Sequence, residues 1–435
     1  MKVLLVTVGG SHQPIVTSIA SQNPDRVVFI CSVGVNGSEV QVTGAGKPCE
    51  VRKGAAVVEK LPNIPTQVGL GDRFNPSRDL VALTNLDDLS DCYGRIREAL
   101  RSLRLELPDA VITADYTGGT KTMSAALVMA AVDLEIPLML TTAKRTDLVR
   151  VASGERTRRA TTSALAVERT IAQLLPLFLA KYNYAAAIAE LSSLLQGMEL
   201  AGENEVRVQE VLDICEGLEA WDRFDHRVAL DRLLPYTSRE DLRPLIFFLK
   251  RSISSRGEID TEFDTTDGMR GTGYEIVEDL RLNADRRVVQ QRFDDAVGRL
   301  YRAIELLAQI RLLAAYGIKT GDVDVLRLPE SLREGYEARR SLRNGKIQIG
   351  LFESYNLLSS LPDDPLGKLF AERKGKILAV LEVRNHSLFA HGFQPIDRAA
   401  YQEFAGVIAG FIEDGIAVLL PKNSKFSPLQ FPIKF

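Results

Sequence analysis

The stretch from Asp109 to Ala143 constrains this chain more than any other. "DAVITA" is a short apolar run of the kind that forms a buried strand. "DYTGGTKTM" follows as a loop rich in glycine and threonine. "KTMSAALVMAAVDL" then reads as a helix and "PLMLTTA" as a second strand. Upstream, "KVLLVTV" and "RVVFICSV" repeat the pattern of short β-branched runs bounded by Gly, Asn and Pro. "TQVGL" is a weaker strand candidate, residues 89–104 carry helical spacing, and "DLVRVAS" reads as a further strand. Buried strands alternating with helices require a mostly parallel sheet covered on both faces. In such sheets ligands sit outside the carboxyl ends of the strands.

From about Thr161 the period changes. "ALAVERTIAQLLPLFLAKYNYAAAIAELSSLL" places apolar residues at three- and four-residue steps, with Pro176 as a kink or break. No second copy appears at a fixed period, so the helices are not read as a solenoid. Residues 253–273 lack periodicity and are rich in Gly, Asp and Thr, which marks a linker. "RFDDAVGRLYRAIELLAQIRLLAAYG" is amphipathic, with Phe293, Val297, Leu300, Ile304 and Leu307 on one face. Helices continue to about residue 418, and the tail "PKNSKFSPLQFPIKF" reads as irregular chain that packs on the domain or on a partner. The expected architecture is an α/β Rossmann-like domain at 1–155, a helical connecting domain at 156–275 and an all-α domain at 276–435.

A chain of 435 residues exceeds one ordinary core, which fits several domains. Its formal charge of −3 excludes a generally basic polyanion binder, so any nucleic-acid surface must be local. No apolar run approaches the ~18 residues of a transmembrane helix. "MKVLLVTVGG" is too short for a signal peptide and reads as a first strand, so a cytoplasmic protein without membrane contact is expected. Cys31, Cys49, Cys92 and Cys215 are scattered, which fits reduced thiols and offers no zinc spacing.

Two loops of the first domain are built for anions. In "TVGGSHQPI", Gly9 and Gly10 allow close backbone approach, and Ser11 and His12 add polar groups. In "DYTGGTKTM", Gly118 and Gly119 present N–H groups, Thr117 and Thr120 present hydroxyls, and Lys121 brings charge to a helix N-terminus. A P-loop would need G-K in direct succession, whereas Thr120 intervenes, so Walker-type hydrolysis is not expected. A phosphate-bearing ligand, bound rather than hydrolysed, is. This pair of loops resembles the CRISPR-associated Rossmann fold (CARF) sensor over roughly residues 1–150. The resemblance implies a homodimer that holds a cyclic oligoadenylate across its two-fold axis. Gly9, Gly10, Ser11 and His12 would line it from one loop, and Thr117, Gly118, Gly119, Thr120 and Lys121 from the other. Ser11, His12 and Thr120 are also polar enough to position a ribose 2′-OH for slow cleavage of that ring.

"RNHSLFAHGF", residues 384–393, is the second constellation. Read as a helix from about Lys374 to His391, it sets Arg384 and His391 about two turns apart on one face, with His386 on another. RNA cleavage needs little more, because the ribose 2′-OH is the nucleophile. Histidine suits the proton transfers, arginine the charge on phosphate, and Asn385 can orient either group. An all-helical domain with "RNHSLFAH" behind a CARF-like domain resembles the HEPN ribonuclease domain of type III CRISPR ancillary nucleases, whose pattern is R-x(4–6)-H. The resemblance implies a composite cleft, formed by Arg384 and His391 of two subunits. It also implies metal-free cleavage of single-stranded RNA to a 2′,3′-cyclic phosphate and a 5′-OH, with no cofactor beyond the activator. Basic clusters at Arg339, Arg340, Arg343 and Lys346 and at Arg373, Lys374 and Lys376 are weak support for RNA binding. Glu305 reads as a surface carboxylate or a support for the site. Two rival readings stand beside this one. Asp363, Asp364, Glu372 and Lys374 carry the residue types of a metal-dependent PD-(D/E)-x-K nuclease, in a region that reads helical. A non-enzymatic nucleotide-sensing regulator is the other.

Overall fold

The computed structural model describes residues 1–53, 56–145, 151–160, 162–197, 200–385, 387, 392–421, 424 and 428–435. They form two compact units, Met1–Ala166 and Val167–Phe435.

The first unit is built on a six-stranded sheet. Its strands are β1 (Lys2–Val8), β2 (Arg26–Ser32), β5 (Leu80–Leu83), β6 (Val111–Asp115), β7 (Leu138–Arg145) and β8 (Val151–Arg159), in the order β5-β2-β1-β6-β7-β8. All neighbours run parallel except β8, which returns antiparallel along β7. Alternating side chains give the sheet two faces. Val3, Leu5, Val28 and Ile30 pack under α2 (Leu89–Glu106) and α3 (Lys121–Asp133). Leu4, Val6, Val27 and Phe29 pack under α1 (Gln13–Gln22), which buries Ile15 and Ile19. A separate antiparallel hairpin, β3 (Cys49–Lys53) and β4 (Ala56–Leu61), has no counterpart in the sequence reading.

One strand expectation fails. "TQVGL" is not a strand: Ile64–Gln67 is a helical turn capped by Asn63, whose Oδ1 accepts from the Thr66 backbone N–H at 3.0 Å. Pro65 sits in that first turn, where its missing N–H costs nothing. The sheet's third neighbour is Leu80–Leu83 instead.

The second unit is helical. Its opening run, 167–179, passes through a π-helical segment, Arg169–Leu174, just before Pro176, where the proline cannot donate. The longer helices are α4 (Tyr184–Gly197), α5 (Glu203–Asp222), α6 (His226–Leu233), α7 (Arg243–Ile259), α8 (Glu275–Val289), α9 (Phe293–Tyr316), α10 (Glu330–Glu337), α11 (Leu351–Ser360), α12 (Pro365–Asn385) and α13 (Arg398–Leu419). Val297, Leu300, Ile304 and Leu307 of α9 are buried against Phe404, Ile408, Phe411 and Ile412 of α13 within one core. The non-periodic stretch begins seven residues later than its composition indicates. α7 runs through Ile259, because Ile253 and Ser255 are buried and the Ser255 hydroxyl donates to the Gly273 carbonyl at 2.7 Å. The connecting helices and the C-terminal helices lie in the same compact unit. A division of that unit near residue 275, where α8 starts, remains our proposal.

The tail packs on this unit through Phe431 and through Gln430, which accepts from Arg286 at 2.8 Å and donates to the Leu282 carbonyl at 2.9 Å. Phe431 is buried, 4.8 Å from the Trp221 ring and 6.0 Å from Tyr184, and the Arg286 guanidinium lies 3.7 Å from its centroid.

Candidate functional site

The sheet order makes β1 and β6 neighbours, so the loops leaving their carboxyl ends emerge side by side. Small residues let them touch. A Cβ on Gly9 would lie 2.6 Å from the Gly119 backbone nitrogen, and one on Gly118 only 2.2 Å from the Thr7 carbonyl oxygen. Gly119 has φ +84°, a conformation that side chains resist. The Thr7 hydroxyl donates to the Gly118 carbonyl at 2.7 Å, and the Gln41 amide donates to the Gly9 carbonyl at 2.6 Å.

Beneath the second loop lies Asp115, fully buried at the end of β6. Its carboxylate accepts from the Ser18 hydroxyl at 2.5 Å, from the Thr117 N–H at 2.8 Å and hydroxyl at 2.5 Å, and from the Thr141 hydroxyl at 3.3 Å. The Thr117 hydroxyl in turn accepts from the Thr141 N–H at 2.7 Å. Thr117 is therefore occupied in holding the loop. Thr120 is the N-cap of α3 and accepts from the Met123 N–H at 3.2 Å. Ser124 of the same helix donates to the Gly118 carbonyl at 2.8 Å. Gly10, Ser11, Thr120 and Lys121 are exposed, whereas His12 is buried at the start of α1, where its carbonyl accepts from the Ile15 and Val16 N–H groups. The nine expected residues thus lie on two touching loops, but Thr117 and His12 face inward. Asp115, Ser18 and Thr141 were not singled out from the sequence. The signal for Asp115 was its place at a strand end, two residues ahead of Thr-Gly-Gly.

In the second unit, Arg384 and Asn385 are the last two residues of α12. The helix does not run from Lys374 to His391 as expected. It starts at Pro365 and stops at Asn385, and Ser387 stands in a bend, buried, with its carbonyl accepting from the Gly392 N–H at 3.2 Å. Asn385 and Ser387 are residue types that favour local hydrogen bonding over helix. The two-turn register between Arg384 and His391 therefore no longer follows. His386 and His391 lie outside the described residues.

Residues 268–414 match the family model described as the Csm6 HEPN domain. The structure as a whole is similar to that of Enterococcus italicus Csm6 bound to cyclic hexa-2′-fluoro-hexa-dAMP. The match covers 98% of this chain and 96% of that one, at 12% identity and a TM-score of 0.57. The fold is that of a CARF–HEPN protein. None of the curated proteins matches the sequence.

Within the HEPN domain, three of the seven cations in the two basic clusters are ion-paired among the described residues. Arg339 pairs with Glu353, Arg340 with Glu337 at 2.6 Å, and Arg373 with Asp414 at 2.5 Å. Lys374 donates to the Asn356 side chain at 3.1 Å. Glu305 accepts from Arg302 one turn earlier at 2.6 Å, an ordinary surface pair. The residues of the rival metal-nuclease reading also have structural tasks. Asp364 is buried against Arg311 at 2.7 Å and Tyr316 at 2.9 Å, and Asp363 pairs with Lys368 at 2.6 Å. Glu372 and Lys374 sit on α12, so the adjacent strands that such a site needs are not there. Among the described residues no helix is long and apolar enough to cross a membrane.

Proposed function

We propose that this chain is a single-stranded RNA endoribonuclease of type III CRISPR defence, switched on by a cyclic oligoadenylate. One observation carries the reading: a Csm6-type HEPN domain shares the chain with a CARF-like sheet whose two glycine loops touch at its carboxyl edge. The relative's bound cyclic hexanucleotide analogue supports a cyclic oligoadenylate as the ligand class here. Gly9, Gly10, Ser11, His12, Thr117, Gly118, Gly119, Thr120 and Lys121 are the proposed activator site. Exposed Lys121, at the N-terminus of α3, and the Gly10–Ser11 backbone supply positive potential. A homodimer would complete both this site and the cleft.

In that cleft Arg384 holds the phosphate charge, His391 moves the proton and Asn385 orients them. The ribose 2′-oxygen attacks phosphorus and loses its proton. The 5′-oxygen leaves and takes one up, which gives a 2′,3′-cyclic phosphate and a 5′-OH without need of a metal. The same chemistry at Ser11, His12 and Thr120 would slowly open the activator ring.

The test is RNA cleavage with cyclic tetra- and hexa-adenylate, with and without EDTA. The expected result is cleavage only with one of the rings, unaffected by EDTA and abolished in Arg384→Ala/His391→Ala, which still binds the ring. Retained cleavage in that variant would overturn the site, and loss in EDTA would overturn the metal-free chemistry. Incubating labelled ring with the same variant checks the sensor: an intact ring after prolonged incubation excludes cleavage there.

A further inference from the structure

A cavity of about 610 Å³ in the helical unit is distinct from both sites above. The segment entering α4, the α8–α9 connection and the C-terminal end of α5 line it. Five cations line it: Lys181, Arg223, Arg287, Arg292 and Arg299. Only two carboxylates do, Glu219 and Asp222. Asp222 is already committed, accepting from Arg286 at 2.7 Å and Asn283 at 3.1 Å and contacting Arg287.

The cations are layered. Arg287 is only 7% exposed, and its Nε has no hydrogen-bond partner among the described residues. Burial, and then the neighbouring Arg299 and Arg292, push its guanidinium down to about 10. Arg299 is half-buried and reaches Asp295 at 3.2 Å. Lys181, Arg223 and Arg292 stand exposed around them and make no ion pair among the described residues. The N-termini of α4 and α9 both open onto this space. A buried guanidinium with an unused N–H, crowded by like charge and ringed by free cations, is a site short of an anion. Its size suits a nucleotide-sized ligand rather than a lone halide.

We propose that this cavity binds a terminal phosphate of a nucleotide, seated on Arg287 and flanked by Lys181, Arg223 and Arg292. A free nucleotide and the phosphorylated end of a nucleic-acid strand present the same chemistry. The proposal stands whether or not the chain cleaves RNA.

The experiment is isothermal titration of the full chain with inorganic pyrophosphate, ATP and a 5′-phosphorylated oligodeoxynucleotide, which has no 2′-OH to be cleaved. The comparison is with Lys181→Gln/Arg223→Gln/Arg292→Gln, whose exposed positions leave the buried Asp222 network intact, and with Lys121→Ala. The expected result is pyrophosphate binding that weakens at least ~10-fold in the triple variant and persists in Lys121→Ala. ATP binding without the oligonucleotide would assign a free nucleotide, and the converse a strand end. No binding to the wild-type chain, or equal binding to the triple variant, would overturn the proposal.

Discussion

Asp115 illustrates how a single residue shapes the candidate sensor. It is a buried carboxylate that accepts four hydrogen bonds from three elements: Ser18 on α1, Thr117 in the loop and Thr141 on β7. Removing it takes this acceptor from three hydroxyls, those of Ser18, Thr117 and Thr141, and from the Thr117 N–H. Asp115→Ala should therefore cost about 1–3 kcal/mol, read as a lower urea midpoint, and weaken activator binding with it. Gly9→Ala should act by another route. Its methyl would press on the Gly119 backbone, which cannot yield as a flexible side chain would, so the loops must part. The expected outcome is weaker activator binding with a smaller loss of stability than Asp115→Ala, measured in the same titrations. An unchanged activator affinity in both variants would remove these loops from the site. The glycine pairs were legible in the sequence because close approach demands glycine whatever the partner. Asp115 was not, because two of its donors, Ser18 and Thr141, come from residues far away in the chain.

At the scale of elements, strands β1, β2, β6 and β7 were legible because they read as short apolar runs, and β1 and β2 are buried on both faces. Leu80–Leu83 was missed: it is an edge strand of four residues with a half-exposed pattern. The hairpin 49–61 escaped for a similar reason, since β4 is almost wholly exposed and has no apolar alternation to read. In the helical unit, α8 was missed because its buried face is charged. Glu275, Glu278, Asp279, Arg286 and Arg287 are all buried there. The seam it makes with α5 rests on Asp222, which holds Arg286 and Arg287, and on Asp279, which accepts from the Trp221 indole at 2.8 Å and lies 2.9 Å from His226. Breaking a buried pair leaves the surviving charge without compensation. Asp222→Ala should thus destabilise the helical unit by about 3–5 kcal/mol, more than any surface pair on α10 or α12. Urea denaturation checks it, and a loss near that of Arg340→Ala would refute the seam's importance.

The whole molecule divides into an α/β unit and a helical unit, and two global measurements should show it. Cys31, Cys49, Cys92 and Cys215 are all buried, three in the first unit and one in the second. Burial pushes the Cys31 and Cys215 thiols up to about 12, so neither forms a thiolate near neutral pH. Thiol reagents at pH 8 should label the native chain hardly at all and all four cysteines once it is unfolded. Activator binding should distinguish the two units more directly. A ligand that binds only the folded α/β unit stabilises that unit by mass action, about 2.7 kcal/mol at one hundred times its Kd. Calorimetry of Arg384→Ala/His391→Ala, which does not consume RNA, should resolve a transition that rises with added cyclic oligoadenylate. Pyrophosphate, if it occupies the arginine-lined cavity, should instead raise the transition of the helical unit. Because two-state behaviour is a property of single domains, each ligand then reports on its own unit. Displacement of pyrophosphate by cyclic oligoadenylate in a competition titration would place them in one site and exclude the separation argued above.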